Sequence, residues 1–324
     1  MPSALTRSLL AAGLALLLGA CGDDGEDEAA TPVSPTALCV SDDCGSKSVL
    51  LTIPDAENLL FTPAGRLFVS GGTNVFEIMA SGSGFVATPI YEGSCNFTGL
   101  ALRGDILYAN CFDGQLYAAR LTAQPRLQAI HDYGLGAPNG LVDGPDGELY
   151  AANGPVATTA LPDPKIVRLD FDPADPFRVV SQADWFRSGL LGPNGVQRRG
   201  RTLYVSNTGL GGLGEIRTVA INADGSAGEA RQLLSFLGLP DDFSLVDDHL
   251  LVASFGNGQI ALYSPEGERL QHTRLLGFSF PSQVRIGRPP LFATTDLLVT
   301  EKGILGDTLS PIGNVLSIFR PVAP

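Results

Sequence analysis

The stretch Pro193–Ser206, PNGVQRRGRTLYVS, joins a turn entry (Pro193, Asn194, Gly195) to an apolar strand (Leu203, Tyr204, Val205) nine residues beyond Asn194. The same unit returns at Glu57–Ser70 (ENLLFTPAGRLFVS), Thr98–Asn110 (TGLALRGDILYAN) and Asn139–Ala152 (NGLVDGPDGELYAA). It returns again at Asp241–Ala253 (DDFSLVDDHLLVA) and Ser282–Thr294 (SQVRIGRPPLFAT). Six copies at intervals of about 40 to 55 residues are the signature of a propeller or an array, not of one ordinary core.

Each copy offers a half-apolar first strand, a Gly/Asp turn and a second strand of the form L-[YFL]-[VA]. Further β-rich segments follow: VFEIMA, QLYAARL, KIVRLDF, EIRTVAI and QIALYS. Their β-branched and aromatic residues alternate with polar ones between Gly/Pro/Asp clusters, the pattern of half-buried strands. Three or four strands in each of six copies predict an all-β, six-bladed β-propeller. The last copy is one strand short. Ser48–Ile53 (SVLLTI) is placed to complete it and so remove an exposed edge. Thirty-nine Gly and 23 Pro match a turn-dense chain, and no amphipathic helix of useful length supports an α/β alternative.

The chain begins with Arg7, an apolar run from Leu9 to Leu18 and then small residues, so residues 1–20 read as a secretion signal. That run is too short to span a bilayer. Leu18-Gly19-Ala20-Cys21 resembles the lipobox of bacterial lipoproteins, which implies lipidation at Cys21 and attachment to the cell envelope through the lipid alone. Residues 21–46 read as an acidic, Pro-containing tether carrying a small disulfide loop, and residues 47–324 as the propeller. Removing Cys21 leaves four cysteines, an even number suited to an exported, oxidised protein. Cys39 and Cys44 are near enough to bridge. Cys95 and Cys111 bracket the first hairpin of the second copy, whose ends should lie side by side. No CxxC spacing or neighbouring His favours a metal at these sulfurs. A net charge of −13 opposes nucleic-acid binding, which needs a basic face. A monomer is expected.

Aligned on their second strands, the copies place one residue each at the start of the innermost strand: Glu57, Thr98, Asn139, Asn194, Asp241 and Ser282. (Copies one and three carry one extra residue in the turn.) All six offer oxygen and two are carboxylates. Six oxygens around one axis suit a hard divalent cation, Ca²⁺ above all because it tolerates irregular geometry. Asn-Gly and Asp-Asp are also ordinary turn formers. Glu57 and Asp241 depart from turn chemistry, and two acids in one ring call for a counter-charge.

These motifs resemble the SMP-30/gluconolactonase/LRE family and, more distantly, the paraoxonase-like arylesterases and lactonases. The resemblance runs from about Val49 to Phe319. It implies that Glu57, Asn139, Asn194 and Asp241 hold one divalent cation in the channel and that Asp241 is the general base. Asn58, Thr98, Asp242 and Ser282 are further channel candidates. Asn58 stands where the paraoxonase pattern has an acid, and Asp241-Asp242 matches its Asp-Asn pair. The paraoxonase-type His is missing, with Phe97-Thr98-Gly99 at its place. Ala137 stands where sugar-lactone members carry an Arg. His131, His249 and His272 read as solvated.

Three functions follow. The first is a metal-dependent hydrolase of a lactone or ester, the cation polarising the carbonyl. The second is a non-catalytic propeller binding an envelope partner, and the third a strictosidine-synthase-like lyase. Walls for a substrate are expected from the loops Gly71–Asn74, Asn153–Thr159, Asn207–Gly214 and Gly256–Gly258. Trp185 and Phe186 form either an apolar lid or part of the seam between blades three and four. Gly209–Gly214 fits GxGxxG, but the strand-like EIRTVAI follows it, so it is a loop. No GxSxG elbow is present.

Overall fold

The computed structural model describes residues 34–155 and 161–322. The leader, Cys21 and the tether up to residue 33 lie outside the described residues, as do 156–160 within one expected wall loop.

Six four-stranded antiparallel sheets make up the described chain. Blade one comprises Leu59–Phe61, Leu67–Ser70, Val75–Ser81 and Gly84–Pro89; blade two comprises Phe97–Arg103, Ile106–Cys111, Gln115–Arg120 and Gln128–Asp132. Blade three has Pro138–Asp143, Leu149–Asn153, Lys165–Asp172 and Asp175–Phe186; blade four has Pro193–Arg199, Thr202–Thr208, Leu213–Ile221 and Ala227–Leu237. Blade five follows with Pro240–Val246, His249–Ser254, Gln259–Tyr263 and Arg269–His272. Blade six takes Pro281–Ile286, Leu297–Glu301 and Val315–Pro321 from the end of the chain and its outer strand, Gly45–Thr52, from the beginning. Gly45 pairs with Pro321 and Thr52 with Val315, so the two ends of the propeller are stitched together as the SVLLTI segment predicts.

The sixth copy departs from its expected form. Leu291-Phe292-Ala293 is not its second strand; Leu297–Glu301 is, with Leu297 opposite Ile286 and Val299 opposite Val284. Pro289 and Pro290 have no N–H for a ladder, so the chain cannot pair there. It loops out instead, and Phe292 enters the core, its ring stacked 5.0 Å from that of Phe85. The segment before the propeller is also docked. Leu38 and Val40 are buried against blades five and six, and Gln271 bonds the Val40 N–H and the Leu38 carbonyl. The Cys39–Cys44 and Cys95–Cys111 disulfides both form, with Cα separations of 5.8 and 6.2 Å.

Local geometry at the channel repeats with the copies. In blades two to six the register shifts at the entry of the inner strand, immediately around Thr98, Asn139, Asn194, Asp241 and Ser282. Such a bulge turns a side chain out of its alternation and aims it along the strand end. The second strand of one blade then clasps the ring residue of the next. Ser70 donates to the carbonyl of Thr98, Asn110 to that of Asn139 (both 2.6 Å), Ser206 to that of Asp241, and Thr300 to that of Glu57. Ala152 and Ala253 break the series in blades three and five. One polar residue at the same point of the repeat thus fixes the height of four ring members.

Inner strands meet most closely just past the ring. A Cβ on Gly140 would lie 2.3 Å from the Asn194 carbonyl oxygen and one on Gly99 2.2 Å from that of Asn139, while one on Gly195 would meet the Asp242 carboxylate at 2.4 Å. Gly140→Ala should therefore lower stability by about 1–3 kcal/mol, the usual cost of overpacking. Gly84→Ala, where a Cβ meets nothing within 4 Å, should change it by less than about 0.5 kcal/mol. Urea titrations of the two variants check this; equal midpoints would contradict the close-approach argument.

Candidate functional site

The bulged entries open into a cavity of about 570 Å³ at the end of the channel. Its floor carries Asp55, Glu57, Asn139, Asn194, Asp241 and Lys302. Its wall is formed by Phe112, Pro155, Leu239, Phe255 and Leu305 among others. Phe112, Phe255 and Lys302 each follow the second strand of their blade and Thr208 ends that of blade four, so a second tier of residues joins the ring with the same repeat logic. The expected wall loops contribute Pro155 and Thr208. Trp185 and Phe186 do not reach the cavity: they pack in the blade three–four seam, where Trp185 meets Tyr150 at 4.7 Å and donates to the Gly225 carbonyl. His131, His249 and His272 all lie on strands away from the cavity lining.

Glu57, Asn139, Asn194 and Asp241 all line this one cavity and all are at least 93% buried. Ser282 donates to Glu57 Oε2 over 3.4 Å. Thr98 is fully buried and gives its hydroxyl to the Pro138 carbonyl at 2.8 Å, so its side chain joins blades two and three. Asn58 and Asp242 lie beneath the ring. Asp242 accepts from Asn58 Nδ2 (2.5 Å), Gln197 Nε2 (2.9 Å), Gln283 Nε2 (2.6 Å) and the Phe243 N–H (2.7 Å). Gly99, Gly140 and Gly195 hold the equivalent positions in blades two to four. One half of this layer is therefore close backbone contact and the other a polar plug.

Lys302 is the functional residue that sequence reasoning misses. Its ammonium bonds Glu57 Oε2 and lies 3.4 Å from Asp55 Oδ1, with all three side chains buried. The signal was the dipeptide Glu301-Lys302 after LLVT, hidden when the second strand of blade six is placed at Leu291–Ala293. Burial raises the pKa of Glu57, and the Lys302 charge only partly opposes it. Burial holds Asp241 well above the ordinary carboxylate range, with the Glu57 charge adding to it. Burial disfavours the Lys302 ammonium, but Glu57 and Asp55 outweigh that and hold its pKa above the usual value.

Three carboxylates (Asp55, Glu57, Asp241) against one ammonium leave two negative charges in the ionised cluster. That residue equals one divalent cation. The donor chemistry agrees: Asn194 Oδ1 is a buried oxygen without a hydrogen-bond donor among the described residues, and Asp55 Oδ1 has only the Lys302 ammonium at 3.4 Å. Buried acceptors left unmet cost about 1–3 kcal/mol each. Asp55, Glu57 and Asp241 do not bring three carboxylate oxygens within 4.8 Å of one another, so an ion would rest on two acids and two amide oxygens. Among the described residues the only Cys/His/Asp/Glu trio that close is Cys95, Cys111 and Asp113, whose sulfurs form the disulfide. The residues present fit a hard divalent cation, with Lys302 as a resident neighbour on Glu57.

Removing one partner of a buried ion pair strands the other. Lys302→Met should destabilise the fold by about 3–5 kcal/mol. Adding Glu57→Gln to it should recover most of that loss, a coupling that a double-mutant cycle by chemical denaturation measures. Additive effects would show that the two side chains do not share a charge pair.

No family model matches the sequence, and no curated protein matches it. Solved structures do match the fold. A gluconolactonase from Xanthomonas campestris superposes with a TM-score of 0.65 at 19% identity, over 86% of this chain and 90% of its own. Regucalcin from Agrobacterium tumefaciens, described as a calcium-binding protein, gives 0.64 at 15% identity, over 87% and 94%. A chain of a nidogen/laminin complex gives 0.55 at 17% identity, over 73% and 85%. The chain thus shares its six-bladed architecture with the gluconolactonase and regucalcin structures, in keeping with the resemblance read from its motifs.

Proposed function

We propose that this chain is an exported, lipid-anchored hydrolase of a lactone or ester, with a divalent cation, best Ca²⁺, in the central channel. The single observation that carries the reading is the floor of the cavity. Two buried carboxylates, Glu57 and Asp241, a ring amide oxygen without a donor and two uncompensated charges lie under apolar walls. Likeness to the gluconolactonase and regucalcin structures supports the fold in which such a floor operates, and function has to be argued from the site itself. Cys21, at the end of a lipobox-like leader, would carry the acyl chains and hold the propeller at the bacterial cell envelope, facing the periplasm or the exterior.

Glu57, Asn139, Asn194 and Asp241 would hold the cation. When bound, it supplies a Lewis acid that polarises the substrate carbonyl and stabilises developing oxyanion charge. Asp241 takes a proton from the attacking water and returns it to the leaving alkoxide. Burial and the Glu57 charge raise its pKa, which makes the carboxylate a stronger base. Lys302 holds one oxygen of Glu57 in place through its ammonium, leaving the other free. Phe112, Leu239, Phe255 and Leu305 offer an apolar seat for the acyl part and keep bulk water from the floor. Ala137 stands where sugar-lactone members carry the Arg that grips hydroxyls, and no Arg among the described residues lines the cavity. An aliphatic lactone or aryl ester fits better than a sugar lactone.

One observation favours a second reading. Lys302 already furnishes Glu57 with a counter-charge, as it would in a non-catalytic propeller whose ring is purely structural. Hydrolysis of a panel of aliphatic lactones and aryl esters separates the two. Activity should disappear on chelation and return with Ca²⁺. Asp241→Asn should lower turnover by about 10²- to 10⁴-fold, the range for loss of a general base, with the fold intact by circular dichroism. Inactivity across the panel together with no bound metal would establish the structural reading, and unchanged turnover in Asp241→Asn would remove the assigned base.

A further inference from the structure

The other mouth of the channel has the opposite electrostatic character. The far ends of the inner strands surround a second cavity of about 380 Å³, lined by Arg198, Arg285, Arg288, Gln197, Asp143 and aliphatic side chains. Arg198 is neutralised: it bonds the carboxylate and the carbonyl of Asp143 at 2.5 and 2.6 Å. The other two arginines are not. Arg288 gives one N–H to the Thr62 carbonyl (3.0 Å), and Arg285 gives one to Gln197 Oε1 (3.1 Å). Arg285 Nε is buried with no acceptor, and neither guanidinium makes an ion pair among the described residues. Asp242 is the carboxylate behind Arg285, but its oxygens are already filled by Asn58, Gln197, Gln283 and the Phe243 N–H.

Three guanidiniums against Asp143 leave two positive charges in the cavity lining, or one when Asp242 behind it is counted. This occurs in a chain of net charge −13. A guanidinium presents donors in a planar fork that matches carboxylate and phosphate oxygens, and an unmet donor on a buried cation costs more than one on a neutral group. Lys would not leave this signature, because a flexible ammonium can swing to solvent. Arg285 cannot: its strand and the Gln197 contact fix it at the cavity.

We propose that this mouth is a binding site for a small oxyanion, a carboxylate- or phosphate-bearing molecule held by Arg285 and Arg288. The site is separate from the acidic floor and does not rest on the hydrolase reading. Asp242 and its three amides divide the two, so an anion bound here faces a layer that contains no catalytic candidate. Gln197 couples them structurally, since its Nε2 serves Asp242 while its Oε1 orients Arg285.

The test is calorimetric titration of the purified protein with citrate and, separately, with inorganic phosphate, at ionic strength held constant with chloride. Saturable one-to-one binding of at least one is expected, and comparing the two tells a carboxylate site from a phosphate site. Arg285→Gln or Arg288→Gln should weaken binding by about tenfold or more, the effect of one charge-assisted hydrogen bond. Arg288 is half-buried at the rim, so its variant keeps the test interpretable if Arg285→Gln folds poorly. Absence of saturable binding by either anion, or unchanged affinity in folded Arg288→Gln and Arg285→Gln, would overturn the proposal.

Discussion

Six inner strands must converge on one axis, and the contacts that let them do so determine everything at the site. The second strand of a blade reaches over to the ring residue of the next through a single hydroxyl or amide. In this way Ser70, Asn110, Ser206 and Thr300 hold the carbonyls of Thr98, Asn139, Asp241 and Glu57. Three of these clasps satisfy a backbone acceptor at a bulged entry, and the fourth holds the Glu57 carbonyl just before the inner strand of blade one. The bulge frees the side chain to point along the channel, and the clasp prevents it from drifting. One step further in, glycines permit backbone contact on one side of the axis. On the other side Asn58, Asp242 and Gln283 fill the same layer with hydrogen bonds.

Burying charge in this position is costly, and the molecule meets the cost incompletely. An isolated carboxylate in a low-dielectric site would rather bind a proton than remain ionised, which is why Glu57 and Asp241 both shift upward. Lys302 offsets part of this. A divalent cation would offset the remainder and also give the free oxygen of Asn194 a partner. At the far mouth the imbalance has the other sign, with two arginines facing a cavity and lacking acids. The channel is acidic at one end and cationic at the other, with the hydrogen-bonded layer around Asp242 between, an arrangement that would keep two oppositely charged ligands apart.

Much of this was legible in the sequence, because a repeat displays its equivalent positions. Six turn-plus-strand units gave the blade count, SVLLTI gave the closing strand, and the residue after each Pro or turn entry gave the ring. Lys302 was hidden for a local reason. The blade-six hairpin carries an enlarged loop with two prolines, so the apparent second strand fell on Leu291–Ala293 and the true exit at Glu301-Lys302 went unaligned. The polar layer was hidden for a non-local one: Asn58 and Asp242 meet across 184 residues, and nothing in a single chain announces such a pair. Trp185 was ambiguous because a large aromatic suits both a lid and a seam. The neighbouring Tyr150 decided for the seam. Docking of Leu38 and Val40 was concealed by the acidic, Pro-containing composition of the residues just before them.

The central claim is that Glu57, Asn139, Asn194 and Asp241 converge on a divalent cation. A crystal structure of the protein grown in excess Ca²⁺ tests it most directly. The account predicts one strong peak on the channel axis, with oxygens of these four residues at about 2.3–2.6 Å and Lys302 retained at Glu57 or displaced toward Asp55. A channel in which Asn194 Oδ1 and Asp241 remain without an ion at saturating Ca²⁺ would contradict it.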